Sequence, residues 1–164
     1  MLKKILFTTL FLSTVVLSSV YYLFHRSKPL SEGVVFLNGL ESKVRIVRDE
    51  WGVPHITSDS ERDAYFALGF VMASERLFQM DIQRRLANGQ LSEVLGKRTL
   101  EVDKKFRTLR FRKAMIELME KRKREGKRNK EMWSHLIAFY EGVNEYIKKN
   151  PLPIEFHLLG YEPK

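Results

Sequence analysis

A chain of 164 residues, 44% hydrophobic and 30% charged, has the length for one ordinary domain, and its lack of cysteine excludes a disulfide framework and a lipoprotein anchor. The formal net charge of +9 is local: Lys3, Lys4, Arg26 and Lys28 lie near the N-terminus without an acid, and KRKREGKRNK from Lys121 to Lys130 sets seven basic residues against one acid. The rest is close to neutral; a basic run of this kind could bind nucleic acid or anionic lipid head groups, but it has no interleaved aromatics to stack on bases, and the favoured reading is a solvated helix end and loop.

Residues 1–28 form a targeting segment, either a signal peptide or an N-terminal membrane anchor, and residues 29–164 carry the fold. Ile5 to Phe24 is free of charge and long enough to cross a bilayer. Bulky Val20 to Phe24 stand where a signal peptidase prefers small residues, which favours an uncleaved anchor through residues 5–24, although Ser18 and Ser19 leave cleavage open. Basic residues flank the span on both sides and do not settle its orientation.

His25 to Lys43 reads as a linker with a first edge strand, Val34 to Leu37, which is expected to pair with Val44 to Val47 across an Asn38-Gly39 turn. Alternation from Val44 to Arg48 suits a half-buried strand, Asp49, Gly52 and Pro54 turn the chain, and His55 to Thr57 is a second extended run. Ser60, with Asp63 three residues later, opens a helix. Ala64, Ala67, Leu68, Val71, Phe78 and Ile82 keep its three-and-four spacing as far as the Asn88-Gly89 stop. Leu91, Val94 and Leu95 add a short turn closed by Gly96. Leu100 to Met119 supports helical segments without clear boundaries, and Trp133 to Ile147 a last helix ended by Asn150-Pro151. The class is α+β: three short strands, then mostly helix.

Few residues invite a catalytic assignment. His55 has no partner at metal or triad spacing and reads as a structural hydrogen-bonding histidine. His25, His135 and His157 are scattered, so no metal site is expected. Arg48 and Asp49 either pair or orient the turn at Trp51. Asp81 and Arg85, at i, i+4, suit an ion pair at the surface or at a domain contact, and Gln79 and Met80 suit helix packing.

The run Val47-Arg48-Asp49-Glu50-Trp51-Gly52-Val53-Pro54-His55-Ile56, then Gly69 to Ala73, Glu75 to Asp81, Arg84-Arg85, Gly89, Leu91, Glu93, Leu95, Gly96, Asp103 and Arg107, resembles the penicillin acylase family in order and spacing. Ser74-Glu75 replaces the Gln-Asp pair common before Arg76 in that family, a departure that keeps the acid. The resemblance runs on to Gly160-Tyr161-Glu162-Pro163-Lys164, where the family pattern continues.

The resemblance implies an exported precursor of an amidohydrolase with a four-layer αββα N-terminal-nucleophile fold. Its sheets come largely from a β-chain that is absent here. In such enzymes the β-chain's first residue, Ser, Thr or Cys, attacks a linear amide, and its own α-amino group, with pKa near ~8, is the base. The implied partners are that β-chain and a small-molecule amide, such as a β-lactam side chain or an acyl-homoserine lactone. Calcium is an expectation for the complete enzyme only.

Within this chain no catalytic residue is expected. Arg48, Asp49, Gly52, Pro54, His55, Arg76, Gln79, Arg84 and Arg85 are expected to be structural members of the family motif. The chain is accordingly read as the start of an α-chain, silent by itself, on the extracytoplasmic side. The alternatives are an anchored, non-enzymatic interaction module and an inert truncated product.

Overall fold

A computed structural model of the chain describes residues 2–26, 32–123 and 126–163. The expected linker lies partly outside these residues, as does the centre of the basic run. Helix α1, Leu2–Arg26, contains a window from Lys4 to Tyr22 with mean hydropathy 1.7. It is long and apolar enough to cross a membrane, a test that signal sequences also pass. The hydroxyls of Thr8, Thr9, Ser13, Thr14 and Ser19 donate to carbonyls one turn back, which satisfies them without water.

Among the described residues two strands follow, not three. β1, Arg45–Arg48, pairs antiparallel with β2, Pro54–Thr57, so that Ile46 faces Ile56 and Val47 faces His55. The expected strand at Val34 to Leu37 is irregular. Side chains from two helices take up the backbone groups of this region: Lys149 donates to Phe36 O at 2.6 Å, Glu145 accepts from Asn38 N at 3.1 Å, and Arg62 donates to Gly39 O at 2.7 Å. Once those groups are occupied, pairing with β1 gains nothing. The hairpin is also less buried than alternation suggests, with Ile46 and Val47 both exposed.

The main element is α2, Glu61–Asn88. Ser60 caps it by accepting from Asp63 N, and Gly89, at φ 64°, closes it in the left-handed conformation. Arg76, at φ −144° and ψ 31°, breaks the helical geometry and kinks the helix. After α3 (Ser92–Leu95) and one 3-10 turn come α4 (Leu100–Leu109) and α5 (Phe111–Lys123), which are separated by Arg110 at φ 55°. The long α6 (Gly126–Lys149) and short α7 (Ile154–Leu159) complete the chain. The described residues are thus mostly helical, of the α+β class.

Helices α2 and α6 cross at backbone contact. A Cβ on Gly69 would fall on the carbonyl of Phe139, and one on Gly142 on the carbonyl of Phe66. The pairing of 66 with 142 and of 69 with 139 makes the two helices antiparallel. Beside this crossing Ala73, Leu77, Val143, Tyr146 and Phe156 form the buried core, with Phe70, Phe78 and Met80 packed against it. Phe70 meets Tyr146 edge-on at 5.4 Å, and Phe78 meets Phe156 at 5.6 Å.

The close approach leaves no room for a side chain at either glycine. Gly142→Val should therefore lower unfolding stability by about 2 kcal/mol or more, the overpacking cost when backbone must move, read as a drop in the urea midpoint. An unchanged midpoint would mean that the helices do not touch there.

Candidate functional site

Five of the nine motif residues meet in the hairpin turn. Asp49 Oδ1 accepts from Trp51 N at 3.0 Å and from Val53 N at 2.8 Å, while its Oδ2 lies 3.0 Å from His55 Nε2. The hydrogen bond to His55, then the one from Val53 N, holds the Asp49 carboxyl below its ordinary range. Gly52, at φ 77°, takes a conformation that costs a side chain but not glycine. Pro54 stands opposite Arg48 in the ladder. Arg48 donates to Gly52 O at 3.1 Å and also to Glu75 of α2. It does not pair with Asp49; it fastens the turn to the helix. Trp51 at the tip is 83% exposed.

The other four lie on α2. Arg76 occupies the kink, with Nη2 3.8 Å from Glu75. Gln79 is exposed, so the helix-packing role expected for it belongs to Met80 alone. Arg84 and Arg85 converge on Asp81, with Nη2 and Nε respectively at 2.7 Å. The Asp81–Arg85 pair is buried, both residues being under 5% exposed. Arg85 reaches Glu93 at 3.1 Å and lies 4.8 Å over the ring of Tyr161. Burial pushes the Asp81 carboxyl up, but the bonds from Arg85 and Arg84 outweigh it and hold the group below its ordinary range. Burial, with the Asp81 carboxylate beside it, pushes Tyr161 up to about 12. Its enclosed hydroxyl makes no hydrogen bond of good geometry.

Two further carboxylates are buried, Asp63 outside the motif strings and Asp103 within them. Asp63 accepts from Ser42 N at 2.8 Å, Ser42 Oγ at 2.9 Å and Glu41 N at 3.0 Å; Asp103 accepts from Leu91 N at 2.8 Å and Ser92 N at 2.7 Å. In each, burial pushes the carboxyl up and these bonds more than reverse it. Asp63 shows in the sequence only as a capping residue, because its partners lie about two dozen positions upstream. Among the described residues no three His, Asp or Glu side chains are placed to hold a metal ion. The buried carboxylates are already engaged by N–H, hydroxyl or guanidinium donors and do not fit as calcium ligands. His135 approaches Glu61 at 3.4 Å and stacks on Tyr65, and His25 stacks on Tyr21. His157 lies on α7. The arrangement fixes shape and holds charge; no group in it is poised for proton transfer.

Comparisons with known proteins bear on what this scaffold serves. A family model described as penicillin amidase matches residues 43–164. The chain is 44% identical over 137 residues to the penicillin acylase 2 proenzyme of Pseudomonas sp. (strain SE83), covering 83% of this chain and 17% of that protein. It is 36% identical over 129 residues to the penicillin G acylase of Escherichia coli, covering 75% and 14%. To the acyl-homoserine lactone acylase QuiP of Pseudomonas fluorescens it is 37% identical over 138 residues, covering 83% and 16%. A solved structure, the thermostable penicillin G acylase from Alcaligenes faecalis, superposes with TM-score 0.61 at 26% identity, covering 74% of this chain and 64% of that one. The chain spans no more than 17% of the length of these curated relatives.

The buried network gives two contrasting expectations. Arg85→Met leaves Asp81 short of a buried partner and should cost about 3 kcal/mol, whereas Tyr161→Phe removes a hydroxyl whose approach to Asp81 falls outside good hydrogen-bond geometry and should cost less than about 1 kcal/mol. Equal losses in thermal unfolding would contradict the assignment. Because Asp63 and Asp103 have lowered carboxyls in the fold, their stabilisation is complete above the ordinary value of 3.8 and is lost as pH falls through the lowered ones. Stability should hold from neutral to about pH 5 and then fall, and Asp103→Asn should flatten that fall. An acid limb unchanged by Asp103→Asn would remove the basis for this.

Proposed function

The chain belongs to the penicillin amidase family, and from that premise we propose that it is the N-terminal part of an amidohydrolase that cleaves linear amides. The observation that carries the reading is the run of motif residues fixed along one scaffold, from the Arg48–Glu75 fastening to the Asp81–Arg85 pair, within the region that is 44% identical to a proenzyme. Amide hydrolysis needs a nucleophile, a base and a pocket for the acyl group. We assign all three to the remainder of the precursor, with the nucleophile at the start of a separate β-chain; the present helices carry and shape the layers against which that chain packs. Exposed Val34, Phe36, Trp51 and Val53 suit such a covering.

In this reading the nucleophile's oxygen or sulfur adds to the amide carbonyl, the amine departs with a proton, and water releases the acid from the acyl-enzyme. The relatives' names point to two amide classes, the acyl side chain of a penicillin and the acyl chain of a homoserine lactone. Calcium, where the complete enzyme uses it, is assigned to residues outside this chain. Helix α1 serves as the export signal, and its length together with the bulky residues at its end favour retention as an anchor.

Expression of the reading frame with its downstream sequence tests this. The expected result is a precursor that splits into two chains by mass spectrometry and releases carboxylic acid from penicillin G or from an acyl-homoserine lactone. An uncut product, or a cut one that releases neither acid, would overturn the reading. Sequencing the N-terminus of the exported protein shows whether α1 is kept.

A further inference from the structure

Between the end of α2 and the α4–α5 corner runs an open groove of about 490 Å3. Phe106 and Ile116 supply its apolar wall, and Arg107, Arg110, Arg112 and Lys113 set four cations against the single carboxylate of Glu117. Two of these cations are partly spent: Arg107 Nε donates to Gly89 O at 2.8 Å, and Lys113 stands 3.8 Å from Glu117. Arg110 and Arg112 have no acidic partner among the described residues. Arg110 also holds φ 55°, a left-handed conformation that costs a residue with a side chain roughly 1 kcal/mol. The turn it makes brings the cations of α4 and α5 to one rim.

A groove with this composition is incomplete in water. Its apolar wall gains by being covered, and its surplus guanidinium groups gain by meeting carboxylates, which arginine binds in a planar, two-pronged geometry. The family match runs across the groove, while the chain spans no more than 17% of its relatives' length. We propose that the groove is the docking site for an acidic segment of the remainder of the enzyme, a stretch in which a pair of carboxylates flanks an aliphatic or aromatic side chain. The proposal rests on the reading of the chain as part of a longer amidohydrolase. The apolar side chain would lie on Phe106 and Ile116, and the carboxylates would neutralise Arg110 and Arg112. Exclusion of water by the apolar wall would strengthen both ion pairs.

The test is photo-cross-linking in the enzyme made from the full reading frame, with p-benzoylphenylalanine placed at Ile116 and, in a second variant, at Lys113. The expected product is a cross-link from both positions to one downstream peptide that contains the paired carboxylates. Its yield should fall at least about tenfold, the equivalent of 1.4 kcal/mol, with Arg110→Glu and Arg112→Glu together, and survive Arg110→Lys and Arg112→Lys. In an enzyme that splits and hydrolyses amide, the proposal alone falls if no cross-link forms, or if it reaches a second copy, a lipid or a segment without acids. A frame that yields no second chain and no hydrolysis overturns the functional reading, and the proposal with it.

Discussion

The rest of the structure depends on the contact between the backbones of α2 and α6 at Gly69 and Gly142. Each glycine faces the carbonyl of a phenylalanine on the other helix, so the two axes approach as closely as bare backbone allows. That approach brings the small Ala73 beside Val143 and Tyr146 and leaves an edge that Phe156 of α7 closes from the far end of the sequence. Dispersion between close-packed atoms, individually weak, is greatest where two backbones meet. With larger residues at these positions, neither the core nor the ties that hang from it would keep their geometry.

Those ties are buried carboxylates, and each holds a different segment to the helix pair. Asp63 holds the backbone at 41–42, Glu145 holds Asn38, Asp103 holds the turn at 91–92, and Asp81 gathers Arg84 and Arg85 and, through Arg85, Glu93 and Tyr161. Burying a charge is costly unless it is paired or hydrogen-bonded; all four accept hydrogen bonds, and Asp63, Asp81 and Glu145 also form ion pairs, with Arg62, with Arg84 and Arg85, and with Lys149. The same saturation removes them from chemistry. They hold α2 and the hairpin in one shape, which agrees with the scaffold role proposed for this chain.

What the sequence disclosed follows how far its signals reach. Ser60 and Gly89 bound α2 because caps act within one turn, and β1 and β2 are legible because the turn between them carries its own Asp and Gly. Val34 to Leu37 misled because its short apolar run says nothing about Lys149 or Glu145, more than a hundred residues away. The i, i+4 spacing of Asp81 and Arg85 announces a pair but not its burial, which depends on Tyr161 and Glu93. Gln79 sits in a motif string yet faces outward, since the face a residue takes on a kinked helix is not set by spacing alone. Resemblance to the family located the motif residues; only the fold separates the turn cluster from the charged network.

On the contacts at Gly69 and Gly142 and in the core, α2 and α6 form one cooperative unit to which the other elements are tied. Hydrogen–deuterium exchange followed by mass spectrometry measures this directly, since segments that open together exchange together. Residues 66–85 and 138–147 should share the slowest exchange, while the hairpin at 45–57 and helix α5 exchange faster. Helices α2 and α6 exchanging at widely different rates, or a hairpin as protected as either, would contradict it.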